Sequence, residues 1–245
     1  MQAEKEEPSP EFLSTASGRI AFVSQEGLLS QIYVMNDDGT SRINLSDNDF
    51  NEFSLAWSPD GQEIAFTSDS FGRGQIHKAN ADGSGRANLS DNDLWEGYPA
   101  WSPDGQEIAF VSGKIQMIEG QVDIFGQIWV MDADGTNKRN LTTEISNDWH
   151  PCWSPDGQRI AFVSYEDSTP QIYVMNADGS GRVNLSDNDL NESHPSWSPD
   201  GQKIAFISYK GPIPQIYVMN ADGSGRVNLS DSDLDELYPV WSPDS

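Results

Sequence analysis

Basic residues are scarce in this sequence, which has 14 Lys and Arg against 39 Asp and Glu and a formal net charge of -25. Such a charge repels nucleic acid and anionic membrane surfaces, so both are excluded as partners. It favours cations or a basic protein as partners. An acidic surface can also serve solubility alone, and that alternative stays open.

Cysteine is nearly absent, since Cys152 is the only one in the chain. Its counterparts in the repeats described below are Ala56, Ala100, Ser196 and Val240. We therefore expect a small packing residue there, not a disulfide partner or a nucleophile.

Long apolar runs are also missing, so no segment is predicted to insert into a membrane. Residues 1–16 are polar and predict a flexible lead-in. They lack the apolar core of an export signal.

Two short motifs recur five times along the chain. Trp-Ser-Pro-Asp begins at Trp57, Trp101, Trp153, Trp197 and Trp241, and Ile-Ala-Phe-x-Ser begins at Ile20, Ile64, Ile108, Ile160 and Ile204. Both motifs repeat every 44 residues, apart from one interval of 52. The chain is therefore one structural unit copied five times.

Each unit predicts four short antiparallel strands joined by Pro-Asp-Gly and Asp-Gly turns, with no helical periodicity. A period near 44 with four strands is typical of a propeller blade. We therefore predict an all-β fold, with residues 17–245 forming a single five-bladed β-propeller.

The phase of the repeat predicts how the ring closes. The first unit starts in its second strand at residues 17–20, and the last unit ends just after its first strand, at Trp241. The C-terminal strand is expected to join the N-terminal blade and complete it, which removes two free sheet edges.

The string Pro195 to Phe206, followed by Ile216 to Gly223, closely resembles the repeat of TolB-type β-propellers. The resemblance recurs five times and covers about residues 18–245. That family includes a periplasmic, six-bladed protein that binds protein partners. The resemblance therefore implies a propeller that binds protein and a periplasmic or extracellular location.

Acidic residues cluster where one blade leads into the next. In a propeller these links share a face with the loops between second and third strands, so five of them would place a ring of carboxylates around one channel mouth. The candidate ligands for calcium or another divalent cation are Glu52, Glu96, Asp148, Glu192 and Glu236. The alternative is turn chemistry, in which Asp and Asn side chains accept hydrogen bonds from backbone N–H groups.

The position three residues before each tryptophan motif should lie at the channel mouth. It is occupied by Ser54, Tyr98, His150, His194 and Tyr238. These amphipathic, hydrogen-bonding side chains are predicted to bind a ligand, together with Trp95 and Trp149. Two histidines on adjacent blades could hold a transition metal. The alternative is that all five simply fill the top of the channel.

The repeats differ mainly in their loops. The loop between Ser112 and Gln127 is eight residues longer than its counterparts and predicts a protruding hairpin. Its neighbours on the same face carry exposed aromatic and aliphatic residues, which predict a contact patch.

These features favour a monomeric, non-catalytic scaffold that recognises a protein or peptide through the channel-mouth face, assisted by a divalent cation. A multivalent glycan-binding lectin is the main alternative, and a metal-dependent lyase or hydrolase is a third. No catalytic residues are assigned, because the acids are nearly equivalent across blades and acid–base catalysis needs carboxylates in distinct environments.

Overall fold

A computed structural model describes residues 18–46, 48–118, 121–143, 146–166 and 169–242. The predicted lead-in over residues 1–16 lies outside this range. Every regular element among the described residues is a β-strand. No helix that could cross a membrane is found in this part of the chain.

The strands form five antiparallel sheets, which we call blades one to five: β1–β3, β4–β7, β8–β11, β12–β15 and β16–β19. Their bounds are β1 Arg19–Glu26, β2 Leu29–Asn36, β3 Ile43–Asn44, β4 Asn51–Trp57, β5 Glu63–Ser70, β6 Arg73–Asn80, β7 Ala87–Asn88, β8 Trp95–Trp101, β9 Glu107–Ile118, β10 Gln121–Asp132, β11 Arg139–Asn140, β12 Asp148–Trp153, β13 Arg159–Ser164, β14 Gln171–Asn176, β15 Val183–Asn184, β16 Asn191–Trp197, β17 Lys203–Tyr209, β18 Pro214–Asn220 and β19 Val227–Asn228. Blades two to five have four strands each and blade one has three. The predicted all-β, five-bladed fold is confirmed.

The core lies between blades, where successive sheets stack face to face. Ile32 and Val34 of blade one pack in one cluster with Ile64 and Phe66 of blade two. The middle strands are buried on both faces, which explains the continuous Ile-Ala-Phe runs in place of strict alternation. Burying each such side chain contributes about 2 kcal/mol. The repeated motif is therefore the hydrophobic interior of the propeller.

The edge of blade one bears on ring closure. Its innermost strand is β1, on which Ile20 and Val23 are 44% and 43% exposed. Residues 237–242 are not assigned to a strand. Pairing between this terminal segment and β1 therefore stays a prediction.

The terminal segment nevertheless packs on blade five as an inner strand does. The indole Nε1 of Trp241 donates to the carbonyl oxygen of Ser196 at 3.0 Å. The equivalent bond, from Trp153 Nε1 to the carbonyl oxygen of Ala100, joins blades three and four at 3.2 Å. The segment thus occupies the side of blade five on which a further inner strand is expected.

Closure can be tested by a designed disulfide. In blades two to five the counterparts of Val240 and Ala21 are direct cross-strand partners: Ala56 with Ala65, Ala100 with Ala109, Cys152 with Ala161, and Ser196 with Ala205. We expect Val240→Cys with Ala21→Cys, in a Cys152→Ser background, to form an intramolecular disulfide on mild oxidation. Closure would place the two Cα atoms about 5.5 Å apart.

Non-reducing electrophoresis and peptide mass spectrometry report the product. Val240→Cys with Leu28→Cys is the control, because Leu28 lies beyond the end of β1 and is 93% exposed. Absence of a disulfide between positions 21 and 240, or its formation only between two molecules, would contradict closure within one chain.

Candidate functional site

A cavity of about 960 Å³ lies between the inner strands of successive blades. The structure places all five predicted collar residues on its wall: Ser54, Tyr98, His150, His194 and Tyr238. We call this set the collar. Val23 of β1 and Val240 of the terminal segment also line the cavity.

The collar side chains touch one another in blade order. The ring centroids of Tyr98 and His150 are 4.6 Å apart, and those of His150 and His194 are 4.2 Å apart. Tyr238 follows, with its ring centroid 4.8 Å from that of His194. The four rings therefore form one continuous arc of polar aromatic surface.

A β-bulge in the inner strands of blades two to five positions four of the five collar residues. The pairing of inner and second strands slips at this point in blades two to five. All five collar residues have positive φ, at 51° (Ser54), 54° (Tyr98), 54° (His150), 53° (His194) and 55° (Tyr238). This conformation costs a non-glycine residue about 1–2 kcal/mol. A bulge re-aims a side chain, so the strain accompanies side chains that face the cavity.

The collar imidazoles are uncharged at neutral pH. Burial, together with the neighbouring His194, lowers the pKa of His150 to about 3. Burial also lowers the pKa of His194. The Nδ1 atoms of both residues are buried and have no hydrogen-bond partner among the described residues. Their hydrogen-bonding capacity is therefore unused there, and a ligand reaches these atoms only if the imidazole rings turn toward the cavity.

The two predicted ligand-binding tryptophans support the collar from behind. Trp95 is only 6% exposed, and its ring centroid lies 5.6 Å from that of Trp149 and 5.9 Å from that of Tyr98. Its ring lies over Gly97, where a Cβ atom would be 2.5 Å from Cη2 of Trp95. Trp95 is therefore buried against the other rings and Trp149 is partly exposed. Neither belongs to the residues that line the cavity, so ligand binding by these two tryptophans stays a prediction.

The acidic residues predicted to ring the channel mouth are mostly buried inside the blades. Four of them pair with a cation of their own blade: Glu52 with Arg86 at 2.6 Å, Glu96 with Lys138 at 3.9 Å, Asp148 with Arg182 at 2.9 Å, and Glu192 with Arg226. Their carboxylates are at most 2% exposed. The expected open ring of carboxylates is therefore not what the structure has.

Glu236 is the fifth member of this set and is only partly buried. Its Oε1 accepts a hydrogen bond from Ser232 Oγ at 2.9 Å. Arg42 holds the matching cation position in blade one, and its Nη2 donates to Ser24 Oγ at 3.2 Å. Closure would bring Glu236 to Arg42 and complete the fifth pair.

Metal binding by the five acids stays a prediction. Within the described ranges no group of three or more His, Cys, Asp or Glu side chains is arranged to hold an ion. A cation would also have to displace Arg86, Arg182 or Arg226 from its carboxylate.

The long loop of blade three is the hairpin expected from its length. β9 and β10 stay paired from Glu107–Asp132 out to Ile118–Gln121. Ile115 and Phe125 on its arms are 40% and 37% exposed. Phe71, in the corresponding loop of blade two, is fully exposed. The predicted apolar surface on these loops is present.

The collar makes stability depend on pH. The pKa of His150 is about 3 in the folded protein against a model value of 6.5. As the pH falls below 6.5 only the unfolded state gains the proton, so stability should fall by about 1 kcal/mol per pH unit for this residue. Urea unfolding between about pH 7 and 5, above the range in which most carboxylates titrate, measures the slope. His150→Gln should reduce the slope without abolishing it, because burial also lowers the pKa of His194 and His77. Ser54→Ala should leave the slope unchanged, and equal slopes for wild type and His150→Gln would contradict the burial of a neutral imidazole.

The packing of Trp95 over Gly97 predicts a sensitive position. Gly97→Ala should destabilise the protein by about 1–3 kcal/mol, because the added methyl group overlaps the indole. Ser193→Ala, at the same position of blade five, should cost less than about 0.5 kcal/mol. Urea unfolding with Trp fluorescence measures both, and equal costs would show that Trp95 is not fixed by this contact.

Comparisons with a family model and with a known protein both point to the same family. The model of the TolB beta propeller domain matches residues 3–125 and 98–245. The Tol-Pal system protein TolB of Albidiferax ferrireducens is 43% identical over 44 residues, which are 18% of this chain and 10% of that protein. The chain thus spans a small part of that relative.

Two solved structures illustrate the likeness of fold. TolB from Acinetobacter baumannii superposes with a TM-score of 0.72 at 24% identity, over 89% of this chain and 54% of that one. An oligogalacturonate lyase in complex with manganese superposes with a TM-score of 0.67 at 16% identity, over 86% of this chain and 61% of that one. At these identities the likeness concerns the fold alone.

Proposed function

Because the chain belongs to the TolB β-propeller family, we propose that it is a non-catalytic scaffold whose channel mouth binds a segment of another protein. The related TolB is a protein of the Tol-Pal system. The resemblance to periplasmic TolB-type propellers supports a place outside the cytoplasm. Fold likeness alone does not define a partner, whereas the collar offers a specific surface to one.

The imidazoles of His150 and His194 carry this proposal, because they lie on the cavity wall and their Nδ1 atoms have no hydrogen-bond partner in the part of the chain that the structure describes. A buried polar atom without a partner costs about 1–3 kcal/mol, and a ligand that hydrogen-bonds to it removes that cost. The aromatic rings of Tyr98 and Tyr238 flank the pair. An extended segment with an uncharged polar side chain between apolar ones suits this surface.

Charge acts on the partner at longer range. The net charge of -25 raises the encounter rate with a basic protein. The collar itself is neutral at pH 7, because burial depresses the pKa of both histidines. We therefore assign salt-dependent attraction to the outer surface and selectivity to the channel.

The two alternative hypotheses, a lectin and a metal-dependent lyase, predict different results for the same protein. A multivalent lectin needs equal pockets on all blades, whereas the collar positions differ from blade to blade. A manganese-dependent lyase would use the histidine pair as metal ligands. Glycan-array binding would favour the lectin, and a stability increase on adding manganese that requires both histidines would favour the lyase.

The test selects peptides from a random display library and measures their affinity for substituted protein. His194→Leu should weaken channel-binding peptides about tenfold or more, a loss of about 1.4 kcal/mol. His77→Tyr is the matched control, since His77 is a partly buried histidine in β6 at a position where blades one, four and five have Tyr. Peptides that bind both variants and the wild type equally would overturn the assignment of the collar as the binding site.

A further inference from the structure

In every blade, the residue that precedes the outermost strand is a cation. We call these five positions the cation row. Its members are Arg42, Arg86, Lys138, Arg182 and Arg226. The four arginines share one environment. Each has its guanidinium 5.0–5.3 Å from the ring centroid of the second-strand phenylalanine and within 3.3 Å of a second-strand serine oxygen.

Blade four gives the full pattern. The guanidinium of Arg182 lies 4.7 Å from the ring centroid of Tyr173, and its Nη2 donates to Ser164 Oγ at 2.7 Å. It also makes two hydrogen bonds to the carboxylate of Asp148, at 2.9 and 3.2 Å. One planar cation thus joins an aromatic ring, a hydroxyl group and a buried carboxylate.

Blade three departs from this pattern because its member of the cation row is Lys138. The Lys138 ammonium donates to the carbonyl oxygen of Ser90 at 2.7 Å and lies 3.9 Å from Oε2 of Glu96. That oxygen is buried and accepts no hydrogen bond from the described residues. The ammonium therefore only partly replaces the guanidinium found in the other blades.

A cavity of about 350 Å³ lies at this place in blade three. Its wall includes Ser112 and Trp129, the counterparts of Ser164 and Tyr173, which contact the guanidinium in blade four. Ser112 Oγ also donates to Oε1 of Glu96 at 3.3 Å. The wall thus carries two of the groups that contact an arginine in blade four, the second-strand serine and the third-strand aromatic ring, and Glu96 lies behind the serine.

We propose that this cavity binds the guanidinium group of an arginine side chain from a partner protein. The group would stack on Trp129 and hydrogen-bond to Ser112, whose Oγ lies 3.3 Å from Oε1 of the buried Glu96. A planar guanidinium stacks on an aromatic ring and forms paired hydrogen bonds, whereas an ammonium behaves as a point charge. Phe125, at the base of the long hairpin, and Leu94 would contact the aliphatic part of the arginine.

Two positive charges oppose a bound cation, namely the Lys138 ammonium, which lies 3.9 Å from Oε2 of Glu96, and Lys114. Lys114 is exposed and lines the cavity. The protein's net charge of -25 outweighs them at a distance. The site is separate from the collar, so its occupancy does not depend on the channel function proposed above.

The test uses agmatine as a guanidinium probe and cadaverine as an ammonium probe of similar length, at fixed ionic strength. The indole N–H resonance of Trp129, assigned with Trp129→Phe, should shift saturably with agmatine, at a dissociation constant on the order of 1 mM. It should respond much less to cadaverine. The readout is the ¹⁵N–¹H spectrum of the intact chain.

Lys138→Arg is the decisive variant, because it gives blade three the arginine that the other four blades already have. We expect it to fold and to lose the agmatine response, since its own guanidinium fills the cavity. Lys114→Ala should leave the response intact or strengthen it. The proposal is overturned if wild type gives no saturable shift, if cadaverine acts equally, or if Lys138→Arg binds agmatine as wild type does. None of these outcomes bears on peptide binding at the collar.

Discussion

The buried ion pair at the start of the inner strand is the interaction on which blades two, four and five depend, and blade three has a longer version of it. In blade two it joins Glu52 to Arg86, two residues 34 positions apart, and so ties the innermost strand to the turn before the outermost one. Ser68 on the strand between them contacts both partners. Leaving one partner of a buried pair unmatched costs about 3–5 kcal/mol. Loss of either partner is therefore expected to destabilise the blade, and a ligand cation would have to displace the arginine.

The same interaction explains how the channel can bear strain. Each inner strand is fixed at its start by the carboxylate and at its end by the tryptophan motif, and the bulge lies between these two anchors. Tyr98 and His150 can then hold positive φ angles of 54° each, at a cost that the packing around them offsets. The repeated framework is structural, and we propose recognition by the side chains that differ between blades.

The sequence was sufficient to predict the fold and the collar positions. Because the same motifs recur in every unit, a strand assignment made in one unit applies to the equivalent residues of the others. It was not sufficient for Glu52 and its counterparts. Their burial depends on the register of three strands and on a cation 34 residues away, so the local Asp- and Glu-rich pattern pointed to an exposed ring. The packing of Trp95 over Gly97 was missed for a similar reason, since it requires a side chain to be absent two residues further on. In both cases the deciding contact is tertiary.

A double-mutant cycle on Glu192 and Arg226 tests the central claim most directly. Urea unfolding of Glu192→Gln, Arg226→Gln and the combined variant gives the coupling free energy between the two side chains. The account predicts that each single substitution costs about 3 kcal/mol and that the double substitution costs less than the sum by at least about 1 kcal/mol. Additive losses below about 0.5 kcal/mol each, as at exposed ion pairs, would contradict it.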